Sequence, residues 1–191
     1  IHCSQSESFA FISTADHVTS QYFYLERNLL KTRPIAVTDR VSIHEYYVDH
    51  DGERFIIRSN LRHQNFDIFS TDIKSAASEQ WDRLLNGSDE LYITDFLALK
   101  NHLIVMSRAK GLDQVEIHDN KTRKHYQIEF PDAAYTVGFG TNPKSDAAFV
   151  RLEYSSMTSP RKILDYDVIT RAMLTKKTQV IPSGYSEEHY V

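Results

Sequence analysis

The chain has 191 residues, enough for one ordinary domain with a hydrophobic core, and its formal net charge is −4. So mild an acidic balance gives no reason to expect binding to nucleic acid phosphates or to an anionic membrane surface. The single Cys3 excludes an internal disulfide and a cysteine-based metal cage, and it favours a reducing, cytoplasmic location.

Aromatic residues are abundant and conformational breakers are few. Eleven Tyr and ten Phe stand against only six Gly and five Pro, which indicates a β-rich fold. No apolar run approaches the roughly 20 residues that a membrane helix needs. Because the chain starts at Ile1, without a methionine or a signal-like segment, we interpret it as a piece of a longer protein.

The first strand signals lie in the N-terminal quarter. Residues 9–12 form a short continuous apolar run, typical of a strand buried on both faces, and residues 22–25 follow after polar turn residues. A loop that contains proline leads to a third run at residues 35–37. These runs predict the last three strands of a sheet that lacks its innermost strand.

The second quarter repeats the pattern. Residues 43–48 predict a strand that ends at Asp51-Gly52, a strong two-residue hairpin signal, and residues 55–57 and 66–69 predict the next two strands. Residues 75–85 have the propensity for a short helix, but the repeat predicts a loop and then a strand near residues 81–85. We follow the repeat.

The strand signals recur at a nearly constant spacing. Central strands are predicted to begin at Phe9, Arg54, His102 and Phe149, which are 45, 48 and 47 residues apart. In the last unit, the apolar residues 149–154 and 163–167 flank a Ser/Thr/Pro turn. Four strands in a period of about 40–50 residues is the signature of a β-propeller blade.

A turn motif supports the same spacing. Asp119-x-x-Thr122-Arg123 recurs 48 residues later at residues 167–171, with Asp, Thr and Arg at the same positions. Because Asp and Thr side chains bond their own turn backbone, the motif predicts a tight turn between outer strands.

The sequence therefore predicts an all-β fold, a partial β-propeller of about three and a half four-stranded antiparallel blades. One propeller domain is expected to span residues 1–191. Its partial blade covers about residues 9–40, and full blades cover about residues 44–87, 91–130 and 135–182.

Several strings connect the chain to a known family. They are EYYVDH (residues 45–50), RFIIRSN (54–60), FISTADHVTS (11–20) and YSSMTSP (154–160), with Asn65-Phe66 and the Gly111-Leu112 turn. Together they resemble the propeller of oligopeptidase B, the Lys/Arg-specific branch of the prolyl oligopeptidase family of serine peptidases. The resemblance covers nearly the whole chain and implies a seven-bladed propeller, of which this is the C-terminal half.

The resemblance also implies a function. In this family the propeller caps an α/β-hydrolase domain and limits access to peptides, which the Lys/Arg-specific branch cleaves after Lys or Arg. The expected partners are the hydrolase domain, the remaining blades and, for the parent protein, short basic peptides. The alternative is a non-catalytic β-propeller that serves as a scaffold for protein interactions.

No catalytic residues are predicted within the chain itself, and the hydrolase domain is expected to lie outside it. A nucleophile elbow needs G-x-S-x-G, and the nearest string, residues 184–186, lacks the second glycine. His2-Cys3 and the pair His44 and His50 lack the closing partners of a metal site. We expect no metal and no cofactor.

The loops between the second and third strands of each blade are the candidate functional regions. They lie at residues 14–20, 60–65, 108–112 and 155–160, and the repeat predicts that all four emerge on one face. In prolyl-type relatives such loops face the hydrolase domain and border the substrate cavity. The candidate interface or substrate-facing residues are Asp16, His17, Arg62, His63, Arg108, Lys110, Ser155 and Ser156. A plain solvated hairpin tip is the alternative for each of them.

An incomplete propeller is also expected to self-associate. Each blade buries its apolar face only by stacking, so the first and last sheets should each leave one face uncovered. The missing innermost strand of the first blade should leave an unpaired edge as well.

Overall fold

The computed structural model describes residues 1–29, 31–75 and 80–185, which form four antiparallel sheets of four strands each. Sheet 1 contains β1 (His2–Cys3), β2 (Phe9–Ala15), β3 (Ser20–Glu26) and β4 (Ile35–Ala36). Sheet 2 contains β5 (Tyr46–His50), β6 (Phe55–Ser59), β7 (Asp67–Thr71) and β8 (Asp82–Leu85). Sheet 3 contains β9 (Leu91–Ala98), β10 (His102–Ala109), β11 (Leu112–Asp119) and β12 (His125–Gln127). Sheet 4 contains β13 (Tyr135–Phe139), β14 (Phe149–Ser156), β15 (Lys162–Asp167) and β16 (Met173–Thr178).

The predicted all-β partial propeller is confirmed, with one correction to its first blade. The innermost strand that the sequence failed to reveal is His2–Cys3, which pairs antiparallel with Phe11 and Ala10. A two-residue strand has no detectable alternation, so no pattern predicted it. The chain therefore has four complete sheets rather than three and a half, and the expected unpaired edge of the second strand is wrong.

The strand predicted near residues 81–85, in place of a helix over residues 75–85, is also confirmed. A 3₁₀ turn at Ile73–Ser75 precedes the strand Asp82–Leu85, which pairs with Ile68, Phe69 and Ser70. Residues 76–79 lie outside the described residues. A second 3₁₀ turn spans Arg27–Leu29, and no helix in the described parts of the chain has the length and apolarity to span a bilayer.

Each pair of neighbouring sheets shares one apolar core. The central strand of sheet 2, Phe55–Ser59, is buried at every position because it lies between sheets 1 and 3. Alternate apolar residues on the central strands of sheets 2, 3 and 4 are buried between neighbouring sheets: Phe55, Ile57, Leu103, Val105, Val150 and Leu152. Aromatic side chains dominate between sheets 1 and 2, and aliphatic ones between sheets 2 and 3.

Hydrogen bonds join one end of each sheet to the first strand of the next. The Ser20 hydroxyl accepts from the Tyr46 N–H (2.7 Å) and donates to the Tyr46 carbonyl (2.8 Å). The Ile93 N–H donates to the Asn65 carbonyl (3.0 Å), and the Val137 N–H donates to the Asp113 carboxylate (3.3 Å). Because each hairpin between second and third strands sits at this bonded end, the four hairpins leave the sheets on one face.

The repeated Asp-x-x-Thr-Arg motif forms the predicted turn in both places, between the third and fourth strands of sheets 3 and 4. Asp119 Oδ1 accepts the N–H groups of Lys121 (2.9 Å) and Thr122 (2.7 Å). The carboxylate at residue 167 accepts the equivalent pair at 2.8 Å each. The arginine that ends each motif has a left-handed backbone, with φ of 61° at Arg123 and 62° at Arg171.

The two outermost sheet faces differ in chemistry. The register places Ala10, Ile12, Phe23 and Leu25 on the free face of sheet 1, all half-buried and all apolar. The free face of sheet 4 instead carries the ion pair of Arg151 with Asp165 (2.7 Å) and that of Arg161 with Glu153. Only the first of these faces matches the expected uncovered apolar surface.

Candidate functional site

The candidate site is the face that carries the four hairpins between second and third strands. We call it the hairpin face and define it as residues 16–19, 60–66, 110–111 and 157–161 with the strand ends that flank them. Antiparallel pairing fixes the position of each hairpin at the end of its two strands. The bonds from each sheet to the next hold the hairpins in order around this face.

The first hairpin is built around the carboxylate of Asp16. Its Oδ1 accepts the N–H groups of Val18 (3.0 Å) and Thr19 (2.9 Å), and its Oδ2 pairs with Arg40 (2.9 Å). These hydrogen bonds, led by that of Val18, hold the pKa of Asp16 below its ordinary value. His17 is exposed at the tip, with no hydrogen-bond partner among the described residues.

The second hairpin presents Arg62 and His63. The Arg62 guanidinium lies 5.5 Å from the ring centre of Phe69 and remains exposed. His63 Nδ1 accepts the N–H of Asn65 (3.1 Å), and its Nε2 lies 3.6 Å from a carboxylate oxygen of the exposed Asp89. Nδ1 therefore serves the turn, whereas Nε2 faces the connection to sheet 3.

The third hairpin is the tight turn at Lys110-Gly111. Lys110 has φ of 51° and is exposed at the tip. The Arg108 guanidinium pairs with the Asp113 carboxylate (2.8 Å), which also accepts the Val137 N–H of sheet 4. Arg108 is therefore part of the connection between sheets 3 and 4 rather than a freely available cation.

The fourth hairpin begins at Ser155 and Ser156, which line a cleft of about 340 Å³ together with Tyr135 and Met157. The Ser156 hydroxyl lies 3.2 Å from the Thr158 hydroxyl and accepts the Thr158 N–H. Both serines lie at the end of β14, beside the turn, and their side chains are half-buried.

A carboxylate that the sequence interpretation missed supports this cleft. Asp132 accepts hydrogen bonds from the Tyr154 hydroxyl and from the Thr158 hydroxyl (3.2 Å). Burial, and then the hydrogen bond to this carboxylate, raise the pKa of Tyr154, whereas the bond from Tyr154 lowers the pKa of Asp132. The only sequence signal was an acidic residue in the loop before β13, which does not identify its partner 22 residues away.

The eight candidates share one face but do not form one cluster. In the part of the chain that the structure describes, no hydrogen bond or ion pair joins one of these eight side chains to another. Ser155 is half-buried on the cleft wall, and each of the other seven bonds within its own hairpin, bonds to a neighbouring segment or remains exposed. Among the described residues, these eight side chains therefore do not form a nucleophile, base and acid held within reach of one another.

The other groups considered from the sequence have structural partners. The His44 Nε2 lies 2.8 Å from the Ser59 hydroxyl, and the His50 Nδ1 lies 2.7 Å from the Ser6 hydroxyl. Burial lowers the pKa of both imidazoles. His2 and Cys3 are exposed on a strand, and Ser186 of the glycine-serine string lies outside the described residues.

The sequence comparisons identify one family over most of the chain. Residues 1–179 match the family described as prolyl oligopeptidase, N-terminal beta-propeller domain. The dipeptidyl aminopeptidase BI of Pseudoxanthomonas mexicana is 27% identical over 148 residues, which are 77% of this chain and 20% of that protein. Protease 2 of Moraxella lacunata is 23% identical over 159 residues, 83% of this chain and 22% of that protein. The chain thus spans about a fifth of the length of these relatives.

Solved structures agree on the fold. Oligopeptidase B from Trypanosoma brucei, in a closed form with covalently bound antipain, superposes with a TM-score of 0.90 at 21% identity. That match covers all of this chain and 28% of the other. Oligopeptidase B from Leishmania major superposes with a TM-score of 0.87 at 16% identity, over 98% of this chain and 28% of the other.

Proposed function

Because the chain belongs to the family of prolyl oligopeptidase N-terminal β-propeller domains, we propose that it is the gating part of a serine oligopeptidase that cleaves peptides after Lys or Arg. In this proposal a separate hydrolase domain performs acyl transfer through its serine nucleophile. The propeller covers that domain with its hairpin face and admits only short, flexible substrates. A cytoplasmic location accords with the single, exposed and unpaired Cys3.

One observation supports the gating role above the others. The hairpin ends of sheets 1, 2 and 3 are each hydrogen-bonded to the first strand of the following sheet, so the hairpins sit on a rigid base. A filter works only if its rim keeps its shape when a large substrate presses on it. Ordered hairpins on a stiff array of sheets supply such a rim, and loops on such scaffolds commonly carry function.

Two exposed carboxylates, one on the hairpin face and one beside it, can attract a basic peptide. Asp89 is highly exposed, and its only ion pair among the described residues is a 3.6 Å contact with His63. The Asp16 carboxylate is also half exposed, although Arg40 offsets its charge. We assign Asp16 and Asp89 to attraction of Lys or Arg side chains as they enter, and the exposed Arg62 and Lys110 to contact with acidic groups of the hydrolase domain.

The remaining candidates are distributed over all four hairpins. Ser155 and Ser156 line the cleft of the fourth hairpin, where their hydroxyl groups can bond the backbone of an extended peptide. His17 lies at the tip of the first hairpin and His63 lies within the second, whereas Arg108 pairs with the Asp113 carboxylate that links the third hairpin to sheet 4. We therefore assign substrate contact to the serines and a positioning role to Arg108.

The test uses the complete gene product in which this chain occurs. It should hydrolyse a short fluorogenic peptide with Arg before the scissile bond, and a serine-directed inhibitor should abolish this turnover. The same cleavable sequence placed within a folded protein should resist cleavage. The 191-residue chain alone should release nothing above buffer, because the triad would lie elsewhere.

Two variants distinguish residues that contact the substrate from residues that only contact the hydrolase domain. Asp89→Asn should raise KM for the Arg peptide without lowering kcat, and Lys110→Ala should leave the KM for peptide unchanged while weakening closure of the two domains. A complete product without any inhibitor-sensitive hydrolysis would favour the scaffold alternative. Equal cleavage of the peptide and of the folded protein would show that the propeller does not exclude large substrates.

A further inference from the structure

Three potential metal ligands converge on the outer edge of sheet 3, near the end opposite the hairpin face. Glu116 and His118 are alternate residues of β11 and therefore project from the same face of the sheet. The register pairs His118 directly with His125 of the edge strand β12. The turn at residues 119–123 fixes this register, so the local backbone holds all three side chains together.

From this arrangement we propose that Glu116, His118 and His125 form a binding site for a divalent transition metal ion of the Zn²⁺ class. Two imidazoles and one carboxylate are a ligand set that zinc accepts with a fourth position left for water or another ligand. Imidazole nitrogen and carboxylate oxygen are suitable ligands for Zn²⁺, Co²⁺ and Ni²⁺, whereas soft ions bind more tightly to thiolate ligands.

The distances between ligand atoms fit a single ion. His118 Nε2 lies 3.2 Å from one Glu116 oxygen, and His125 Nε2 lies 3.5 Å from the other. One ligand atom from each of the three residues lies within 4.8 Å of the others. Bonds of about 2.0–2.1 Å at tetrahedral angles place ligand atoms roughly 3.3–3.4 Å apart, so only small side-chain adjustments are needed.

The arrangement of the two histidine rings also fits a shared ion. Their rings stack at 5.2 Å with an angle of 23° between their planes, and both Nε2 atoms point to one carboxylate. Moreover, the buried His118 Nε2 has no aligned hydrogen-bond partner among the residues that the structure describes. The side-chain geometry therefore places Nε2 of both rings and the Glu116 carboxylate around one point, where an ion could bind all three.

The surroundings leave a fourth coordination position accessible. His118 and His125 line a cleft of about 270 Å³ whose apolar wall comes from Leu84, Leu85 and Leu103. The charged residues that line the same cleft are Arg54, Arg123 and Asp119. Arg54 is paired with Asp51 (3.2 Å), and Asp119 offsets Arg123, so with Glu116 the cleft does not carry an excess of positive charge.

A metal ion here would connect the last two strands of sheet 3. β12 has only three residues and is an edge strand, so it depends on β11 for its backbone bonds. An ion that binds only the folded state stabilises it by mass action. The site therefore acts as a structural clip on the outer rim, and it requires neither peptidase activity nor the gating role.

The experiment is a Zn²⁺ titration of the purified chain after treatment with chelator, followed by calorimetry and thermal unfolding. The expected result is saturable one-to-one binding and a higher midpoint of unfolding with Zn²⁺ than without it. His125→Ala, which alters an exposed side chain, and Glu116→Gln should each weaken binding by on the order of 10–100-fold or more. His17→Ala is the matched control because it removes an exposed histidine from a different sheet, and its binding should equal that of the unchanged chain.

A second measurement does not depend on variant stability. Co²⁺ in place of Zn²⁺ should give visible absorption bands of four- or five-coordinate geometry that disappear in His125→Ala. Absence of binding to the unchanged chain, or binding that is equally tight in His125→Ala and Glu116→Gln, would overturn the proposal. A six-coordinate Co²⁺ spectrum that His125→Ala leaves unchanged would do the same.

Discussion

The guanidinium of Arg58 in sheet 2 donates a hydrogen bond to the carbonyl of Ile93 in sheet 3 (2.9 Å) and is almost completely buried. A second bond reaches the neighbouring Thr94 carbonyl. The group lies between two aromatic rings, with its central carbon 4.4 Å from the ring centre of Tyr47 and 4.3 Å from that of Phe66. A cation thus links two sheets that also share an apolar cluster.

Arg58→Ala should lower the free energy of unfolding by roughly 2–4 kcal/mol, because it removes two charged hydrogen bonds and a desolvated cation–π contact. Arg58→Lys keeps the charge but not the planar fork, so it should recover only part of the loss. Urea unfolding of the three proteins measures the difference. Equal stability of Arg58→Ala and the unchanged chain would show that this contact does not hold the sheets together.

Gly87 leaves no room for a side chain because it lies close to the backbone of Phe66. A Cβ at this position would lie 2.0 Å from the Phe66 carbonyl oxygen, and the Gly87 N–H donates to Asp67 (2.8 Å). Gly87→Ala should therefore cost on the order of 1–3 kcal/mol of stability. Gly138→Ala is the matched control, since a Cβ there meets nothing within 4 Å and should change stability by less than about 0.5 kcal/mol. Similar thermal midpoints for the two variants would contradict the steric explanation.

Ile57 is fully buried between sheets 1 and 2. Its truncation to Ala should cost about 2–5 kcal/mol, because a cavity remains in a core that cannot collapse around it. Met157→Ala is a suitable control, as the Met157 side chain is 93% exposed. A loss below about 1 kcal/mol for Ile57→Ala in denaturant unfolding would mean that the sheet interface is looser than the structure indicates.

Asp49 gives the protein a specific pH dependence. Burial raises its pKa from 3.8 to about 6, although its carboxylate accepts the N–H groups of Gln5 and His50, at 2.7 Å each. A raised folded-state pKa adds stability that is complete below pH 3.8 and is lost as the pH rises through 6. The lost stability amounts to roughly 3 kcal/mol at pH 8.

Asp49→Asn should therefore be more stable than the unchanged chain at pH 8, and the two should converge near pH 4. Asp167→Asn is the opposite control, because hydrogen bonds in its turn, led by that of Thr170, lower the pKa of Asp167. Its removal should reduce stability at pH 7 and have little effect at pH 3. Thermal unfolding across this pH range decides between the two signs, and a constant gap between Asp49→Asn and the unchanged chain would refute the assignment.

Self-association of the isolated chain should use the free face of sheet 1. That face carries Ile12 and Phe23, whereas the free face of sheet 4 is interrupted by ion pairs. Phe23→Glu should shift the chain towards the monomer, and Leu174→Glu, on the free face of sheet 4, should not. Light scattering after size exclusion measures the mass. A monodisperse monomer of the unchanged chain would show that the apolar face is tolerated in water.

Two copies would bring eight sheets together, one more than the seven blades that the resemblance implies.

The sequence repeat predicted the fold well because each blade is formed by strands that follow one another directly in the sequence. A central strand such as β6 begins with three consecutive apolar residues, and turn residues follow it, so the spacing of such runs located the sheets. His2–Cys3 escaped prediction because its strand character comes from pairing with Ala10 and Phe11, and its own side chains carry no signal.

The side-chain clusters were harder to predict for a different reason. Arg58 and Ile93 belong to different sheets, and Asp132 and Tyr154 are 22 residues apart, so their contacts depend on how the sheets pack. His118 and His125 could have been linked from the sequence, because the Asp-x-x-Thr-Arg turn between them fixes the register. The alternation Glu116-x-His118 was the available signal.

The bonds that join successive sheets also bear on how the chain folds. Ser20 and Tyr46 are 26 residues apart, and Asp113 and Val137 are 24 residues apart. Each connection therefore closes a short loop, which is fast compared with the pairing of distant strands in other all-β folds. During synthesis from the N-terminus, each link can form as soon as the first strand of the next sheet has emerged and before the rest of that sheet exists. The sheets can therefore assemble in the order of synthesis.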